Sequence, residues 1–248
     1  MKTDFEHQSL REKACLTNNQ QQAASCLDRH ALASCASLES GSFHGGLSVT
    51  TEQELKSCIK VKATQGNYAV AIALLDQLIA LRPDSATNYN NRGLMHFRNN
   101  QIIEALCDLS LALEINPRLD SAYNNRANCY AAQGDFAEAI IDYDLALDLN
   151  PSNLRAWINQ GITFRELELY ELGLENFDIA LIIGDALQGR IYAERGRTYF
   201  LRGDWNCAVS DYQTALDILG EQSEAISYFC KVQDWLDEVM SPLMMTDD

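Results

Sequence analysis

From residue 52 onward, apolar residues return at spacings of three and four in short runs separated by polar turns, the pattern of successive amphipathic helices rather than strands. The runs come in pairs. Pro83, Pro117 and Pro151 each stand just beyond every second run, 34 residues apart, and two of those runs end as Leu-Ala-Leu-x-x-Asn-Pro. A fixed period of this length predicts an array of helical hairpins, because one hairpin cannot bury its own apolar face and must stack on its neighbours. The units fall at 52–85, 86–119, 120–153, 154–188 and 189–222, the fourth being one residue longer.

Within each unit the same positions, or slots, hold the same kinds of residue. The eighth slot holds Ile59, Gly93, Ala127, Gly161 and Gly196, and the twentieth Ala71, Ala105, Ala139, Gly173 and Ala208. Small residues there let two helices approach. Large residues recur at the fourth slot (Leu55, Tyr89, Tyr123, Trp157, Tyr192) and at the twenty-fourth (Leu75, Leu109, Tyr143, Phe177, Tyr212). Gln-Gly-Asn-Tyr at 65–68, Gln-Gly-Asp-Phe at 133–136 and Arg-Gly-Asp-Trp at 202–205 place a glycine where the first helix, A, should end in a left-handed turn before the second, B.

This slot pattern resembles the tetratricopeptide repeat. The resemblance covers residues 52–240 and implies an all-α fold, a right-handed superhelical solenoid of antiparallel helix pairs. Repeat 1 departs from it with Ile59 and Lys62, and repeats 4 and 5 have Asp185 and Gly220 in place of proline. Beyond the repeats, Ala225, Ile226, Phe229, Val232, Leu236 and Val239 predict a capping helix over 223–240, followed by an acidic tail at 241–248. Residues 1–51 share no slot pattern, and their Gln-, Ser- and Gly-rich composition predicts a flexible arm.

Slots seven and twenty-three change together although they lie on different helices. Arg92 goes with Asp108, Arg126 with Asp142 and Arg195 with Asp211, whereas Gln160 goes with Asn176 and Cys58 with Leu74. Charge meets charge, amide meets amide and apolar meets apolar, so the two slots are expected to touch and the arginines to form structural ion pairs.

The resemblance also implies that the A helices line a concave groove. Asn91, Asn125 and Asn159 then form a ladder at slot six, with Asn90 and Asn124 beside them and Asn128 at slot nine. An amide both donates and accepts, so such a row suits the backbone of an extended peptide. The B helices of repeats 2 to 5 carry twelve acidic residues and no lysine or arginine, while their A helices carry nine arginines. With the three ion-pair arginines set aside, six remain, Arg98, Arg155, Arg165, Arg190, Arg197 and Arg202, and they mark the groove as locally basic and the partner segment as acidic. Asn128, Asn159 and Arg190 also match slots of the family's chaperone-tail clamp, but Glu194 stands where its second basic group belongs.

Composition narrows the function further. With 35 acidic against 19 basic residues, a formal charge of -16 opposes binding to nucleic acid and anionic lipid. No run approaches the ~20 apolar residues of a membrane span, and no export signal is recognisable, so a cytoplasmic location is expected. The eight cysteines include no Cys-x-x-Cys pair and are expected to be reduced, those of the repeats serving mainly as core filler. Cys26, His30 and Cys35 fit no compact zinc motif, so no metal or cofactor is expected. No nucleophile, base and orienting group can be assembled on the groove. Two readings remain: a non-catalytic scaffold, adaptor or assembly factor holding a partner peptide or subunit, and a self-associating structural protein. The repeat style, Asn-Arg-Gly in helix A and Asp-Tyr-x-x-Ala-Leu in helix B, also resembles units of cyanobacterial and plastid repeat proteins.

Overall fold

The computed structural model describes residues 49–185, 187–220 and 226–244. These described residues divide into two compact units, those up to Leu149 and those from Asn150 onward. The flexible-arm expectation, including Cys26, His30 and Cys35, lies outside the described residues.

The first unit holds three helical hairpins. They are α1 (Val49–Thr64) with α2 (Tyr68–Leu81), α3 (Ala86–Arg98) with α4 (Ile102–Ile115), and α5 (Asp120–Gln133) with α6 (Phe136–Leu149). Each A helix packs on its own B helix and on the B helix before it, and α3 also touches α5. The core runs along these contacts: Ala71, Leu75 and Leu78 under α1, then Ala105, Leu109 and Ala112 between α3 and α5. Each such leucine contributes ~1.5–3 kcal/mol on burial. The small residue of slot eight has a steric cause at Gly93, where an added Cβ would stand 2.8 Å from Leu109 Cγ and 3.2 Å from the Ala105 carbonyl oxygen.

The second unit pairs α7 (Leu154–Glu166) with α8 (Tyr170–Ile183) and α9 (Gln188–Arg202) with α10 (Trp205–Gly220). A single helix, α11 (Ile226–Met244), closes it. Phe177, Ala180, Ile158 and Ile191 form one core, and Tyr212, Ala215, Leu219, Val232 and Val239 the other. Val232 and Val239 belong to α11, so this helix seats its apolar stripe on the last hairpin. It runs into the stretch where the sequence placed the acidic tail, ending at Met244 rather than at 240. The extra residue of the fourth unit is taken up by α9, which begins at Gln188.

All five A helices end on a left-handed residue at the same slot. Gly66, Gly134 and Gly203 supply it at φ 74, 85 and 96°, where a side chain would cost roughly 1–2 kcal/mol. Repeats 2 and 4 adopt the turn with Asn100 and Glu168, at φ 60 and 61°. The turn is thus set by its place in the hairpin and not by glycine alone.

The cysteines depart from the core-filler expectation. Cys129 is buried, but Cys58 and Cys207 are exposed, as is Cys230 on α11. Cys107 is disulfide-bonded, so the expectation of reduced thiols fails there.

Candidate functional site

The site is framed by the slot-seven arginines. Arg92 meets Asp108 through Nε to Oδ2 and Nη2 to Oδ1, both at 2.7 Å, and Arg126 meets Asp142 the same way at 2.6 and 2.8 Å. Arg195 and Asp211 repeat this at 2.7 and 2.8 Å, and Asn176 donates to Gln160 at 2.9 Å. Two parallel bonds to one carboxylate are the strongest form of this pair. Burial would lower the Arg92 and Arg126 pKa values, but the hydrogen bond and charge of each aspartate outweigh it and hold both above their ordinary value. Each arginine also lies over the slot-four tyrosine three residues before it, at 5.5 Å for Arg92 on Tyr89 and 5.2 Å for Arg195 on Tyr192. Of the expected apolar counterpart, Cys58 is exposed and Leu74 is half-buried.

These arginines are fully committed to the frame, which leaves the A-helix face to the asparagines. In the first unit the amides form a directed chain: Asn124 donates to Asn125, Asn125 to Asn90 at 3.0 Å, and Asn90 to Asn91. The central bond joins α5 to α3. Asn90, Asn124 and Asn125 are buried and Asn91 is exposed, so the chain surfaces at one residue. Asn128 accepts the hydroxyl of Tyr143 at 2.7 Å, which fixes its amide.

In the second unit Arg190 donates to Asn159 at 3.2 Å, and Arg155 is exposed. Two of the expected groove arginines are otherwise engaged. Arg165 is buried and donates to Glu194 Oε2 at 2.7 Å, while Tyr228 of α11 donates to the other oxygen at 2.9 Å. Arg197 holds Glu238 of α11 at 2.5 Å and lies between the rings of Phe200 and Trp235. Burial and Glu194 together push the Tyr228 hydroxyl far above its ordinary pKa, so it stays a donor.

Two tetratricopeptide-repeat family models match residues 60–118 and 121–153. The chain carries tetratricopeptide repeats over these residues. A thermophilic repeat protein of Thermus thermophilus is 16% identical, with a TM-score of 0.65, over 73% of this chain and 98% of that one. A repeat protein of Parabacteroides merdae is 19% identical, with a TM-score of 0.58, over 77% of this chain and 74% of that one. The hetero-tetramer Cut9–Hcn1 of the APC/C aligns at 20% identity and a TM-score of 0.67, covering 76% of this chain and 36% of that chain. At such identities the likeness is one of fold. No curated protein sequence matches the chain.

Through these repeats the chain carries a protein-interaction module, and this fold is generally non-catalytic. No described helix is long and apolar enough to cross a membrane. Among the described residues no group of three His, Cys, Asp or Glu side chains could hold a metal ion.

Sequence reasoning missed a second arm of the arginine frame. Arg92 Nη1 reaches back to Asp76 at 2.7 Å and Arg195 Nη1 to Asp178 at 2.6 Å, both at slot twenty-five of the preceding repeat. Each arginine thus ties two repeats together. The signal was present, since slot twenty-five is acidic in repeats 1, 3 and 4 (Asp76, Asp144, Asp178).

Proposed function

We propose that this protein is a non-catalytic adaptor or scaffold that holds an extended, acidic segment of another protein on the A-helix faces of its repeats. The observation that carries the reading is the amide chain Asn124–Asn125–Asn90–Asn91. Burying an amide is costly unless it is paired, and a solvated helix face has no need of four linked ones. Linked in this way they are held rigid, so the exposed Asn91 presents its amide with little left to lose in ordering. The exposed Arg155 and the Arg190–Asn159 pair supply positive charge on the A-helix face of the second unit, which favours an acidic segment.

The chaperone-tail clamp fits less well, because the slot for its second basic group holds the carboxylate of Glu194. End-to-end self-association would need an apolar end face. The outward residues of α11, among them Ser227, Lys231, Asp234 and Asp237, are polar and exposed.

The test is affinity capture from native extract with the wild-type chain, with Asn91→Ala, and with the combined Asn91→Ala/Asn125→Ala/Asn159→Ala chain, all equally helical by circular dichroism. A protein retained by the wild type, reduced by the single change and lost by the triple one supports the reading. Identical captures by all three would refute it. Light scattering of the free chain at a concentration-independent mass of 27.8 kDa is expected under the same reading.

A further inference from the structure

Each B helix of the first unit carries a row of residues at slots eighteen, twenty-two, twenty-six and thirty. A spacing of four follows one ridge along a helix. In α4 the ridge is Ile103, Cys107, Leu111 and Ile115, in α6 it is Ala137, Ile141, Leu145 and Leu149, and in α2 it is Ala69, Ala73, Gln77 and Leu81. Gln77 is the one polar member, yet none of these side chains is buried, and Ile103 is 54% exposed. The second unit shows what a solvated ridge holds at these slots: Glu171 and Glu175 in α8, and Asn206, Ser210 and Thr214 in α10. Apolar surface repeated at equivalent slots of three successive hairpins marks an interaction face.

A covalent bond says what covers it. Cys107 stands within the ridge of the middle hairpin and is disulfide-bonded. Cys58, Cys129, Cys207 and Cys230 are free, so of the eight cysteines only Cys15, Cys26 and Cys35 remain as its partner. All three precede Val49, where α1 begins. The 14 positions from Cys35 to Val49 span up to ~45 Å when extended, about twice the ~24 Å length of α1, so the segment can reach α4. Charge favours the same occupant. The helices α2, α4 and α6 contain Asp and Glu but no Lys, Arg or His. Residues 1–48 hold four of the chain's 19 basic residues, Lys2, Arg11, Lys13 and Arg29, but only five of its 35 acidic ones. They also supply apolar side chains, among them Leu10, Leu16, Leu27, Leu32 and Phe43.

We infer that the B-helix ridges of the first unit are the docking face for the chain's own residues 1–48, locked over α4 by a disulfide from Cys107 to Cys15, Cys26 or Cys35. The face is distinct from the asparagine chain of the A helices, and the inference does not rest on that reading. The bond closes by exchange with a small disulfide such as oxidised glutathione: two protein thiols become one disulfide, and the glutathione disulfide becomes two thiols. Closed, it holds the segment at high effective concentration on the ridges. Opened by a thiol reductant, it leaves only the apolar and charge contacts, so docking becomes sensitive to redox state.

The experiment uses the full chain equilibrated with oxidised glutathione. Peptide mapping without reductant should recover the Cys107 peptide joined to one containing Cys15, Cys26 or Cys35. Cys107 recovered as a thiol, or joined to a second copy in a covalent dimer, would overturn the latch. Limited trypsin cleavage at Arg29 then reads docking, because a segment docked nine-tenths of the time is cut about tenfold more slowly than a free one. The oxidised chain should show this protection and Cys107→Ser should lose most of it. Ile103→Asn/Ile115→Asn/Leu145→Asn alters exposed positions only, so it should keep wild-type helicity by circular dichroism. With its disulfide closed, it should still be cut several-fold faster than the oxidised wild type. Equal rates in those two chains would show that the bond is a bare tether and the ridges are not the docking face. Equal rates in the oxidised wild type and Cys107→Ser would likewise refute the lock.

Discussion

Arg126 and Asp142 lie on opposite helices of one hairpin and meet through two parallel hydrogen bonds, with the aspartate side chain 4% exposed and the arginine 21%. Removing the arginine would leave a buried carboxylate without its counter-charge. Arg126→Ala should therefore destabilise the chain on the order of 3 kcal/mol. Arg118→Ala, on an exposed turn, should change stability by less than about 0.5 kcal/mol. Urea denaturation of the two variants compares them directly, and equal midpoints would show that the pair contributes nothing net.

The same arginine has an incomplete second arm. Arg92 and Arg195 reach an aspartate of the preceding repeat, but Arg126 finds Ser110 there, with Nη1 at a loose 3.5 Å from the hydroxyl. Ser110→Asp should complete the tie and raise stability by up to ~1 kcal/mol, as a partly solvated ion pair does. That corresponds to a rise of ~2–4 °C in melting temperature for a chain of this size. A lower melting temperature would mean that the second carboxylate repels Asp142 more than it attracts the guanidinium.

Much of this frame was legible in the sequence because it repeats. A period of 34 residues turns one chain into five trials of the same geometry, so slots that vary together, such as Arg126 with Asp142 and Gln160 with Asn176, expose a contact without any structure. What does not repeat was not legible. Arg165 and Arg197 read as free groove cations because their partners, Glu194 of the next repeat and the α11 residue Glu238, lie 29 and 41 positions away, in contacts that no other repeat duplicates in sequence. Asn125 read as an open rung of the groove ladder, yet it is buried against Asn90, because the closeness of α3 and α5 follows from packing and not from spacing.

Thiol chemistry separates the cysteines that the sequence treated alike. Burial pushes the Cys129 thiol up to about 12 from 9.0. It should resist iodoacetamide at mildly alkaline pH, whereas the exposed Cys58, Cys207 and Cys230 should react. The sign of the linkage follows from the raised folded value: the contribution of Cys129 is fully present below pH 9, and is lost as pH rises toward about 12, where only the unfolded thiol ionises readily at first. Peptide mapping after labelling checks this, and Cys129 modified as fast as Cys230 would contradict it.

Glu194 ties the terminal helix to the last hairpin. Its carboxylate is buried and receives Arg165 on one oxygen and Tyr228 on the other, so it neutralises a guanidinium that has no other carboxylate closer than Glu166 at 3.4 Å. Glu194→Ala should cost about 3–5 kcal/mol, because it strands the buried Arg165 and also deletes the acceptor of the Tyr228 hydroxyl. The loss should be felt first where α11 is held by little else. Limited trypsin digestion should then cut at Lys231 well below the temperature at which the repeats melt, while the wild-type chain resists at that site. Glu194→Gln, which keeps an acceptor for Tyr228 but not the charge for Arg165, should fall between the two. If both variants are digested no faster than the wild type, α11 is held by Val232 and Val239 in the core, and the polar contact is not its anchor.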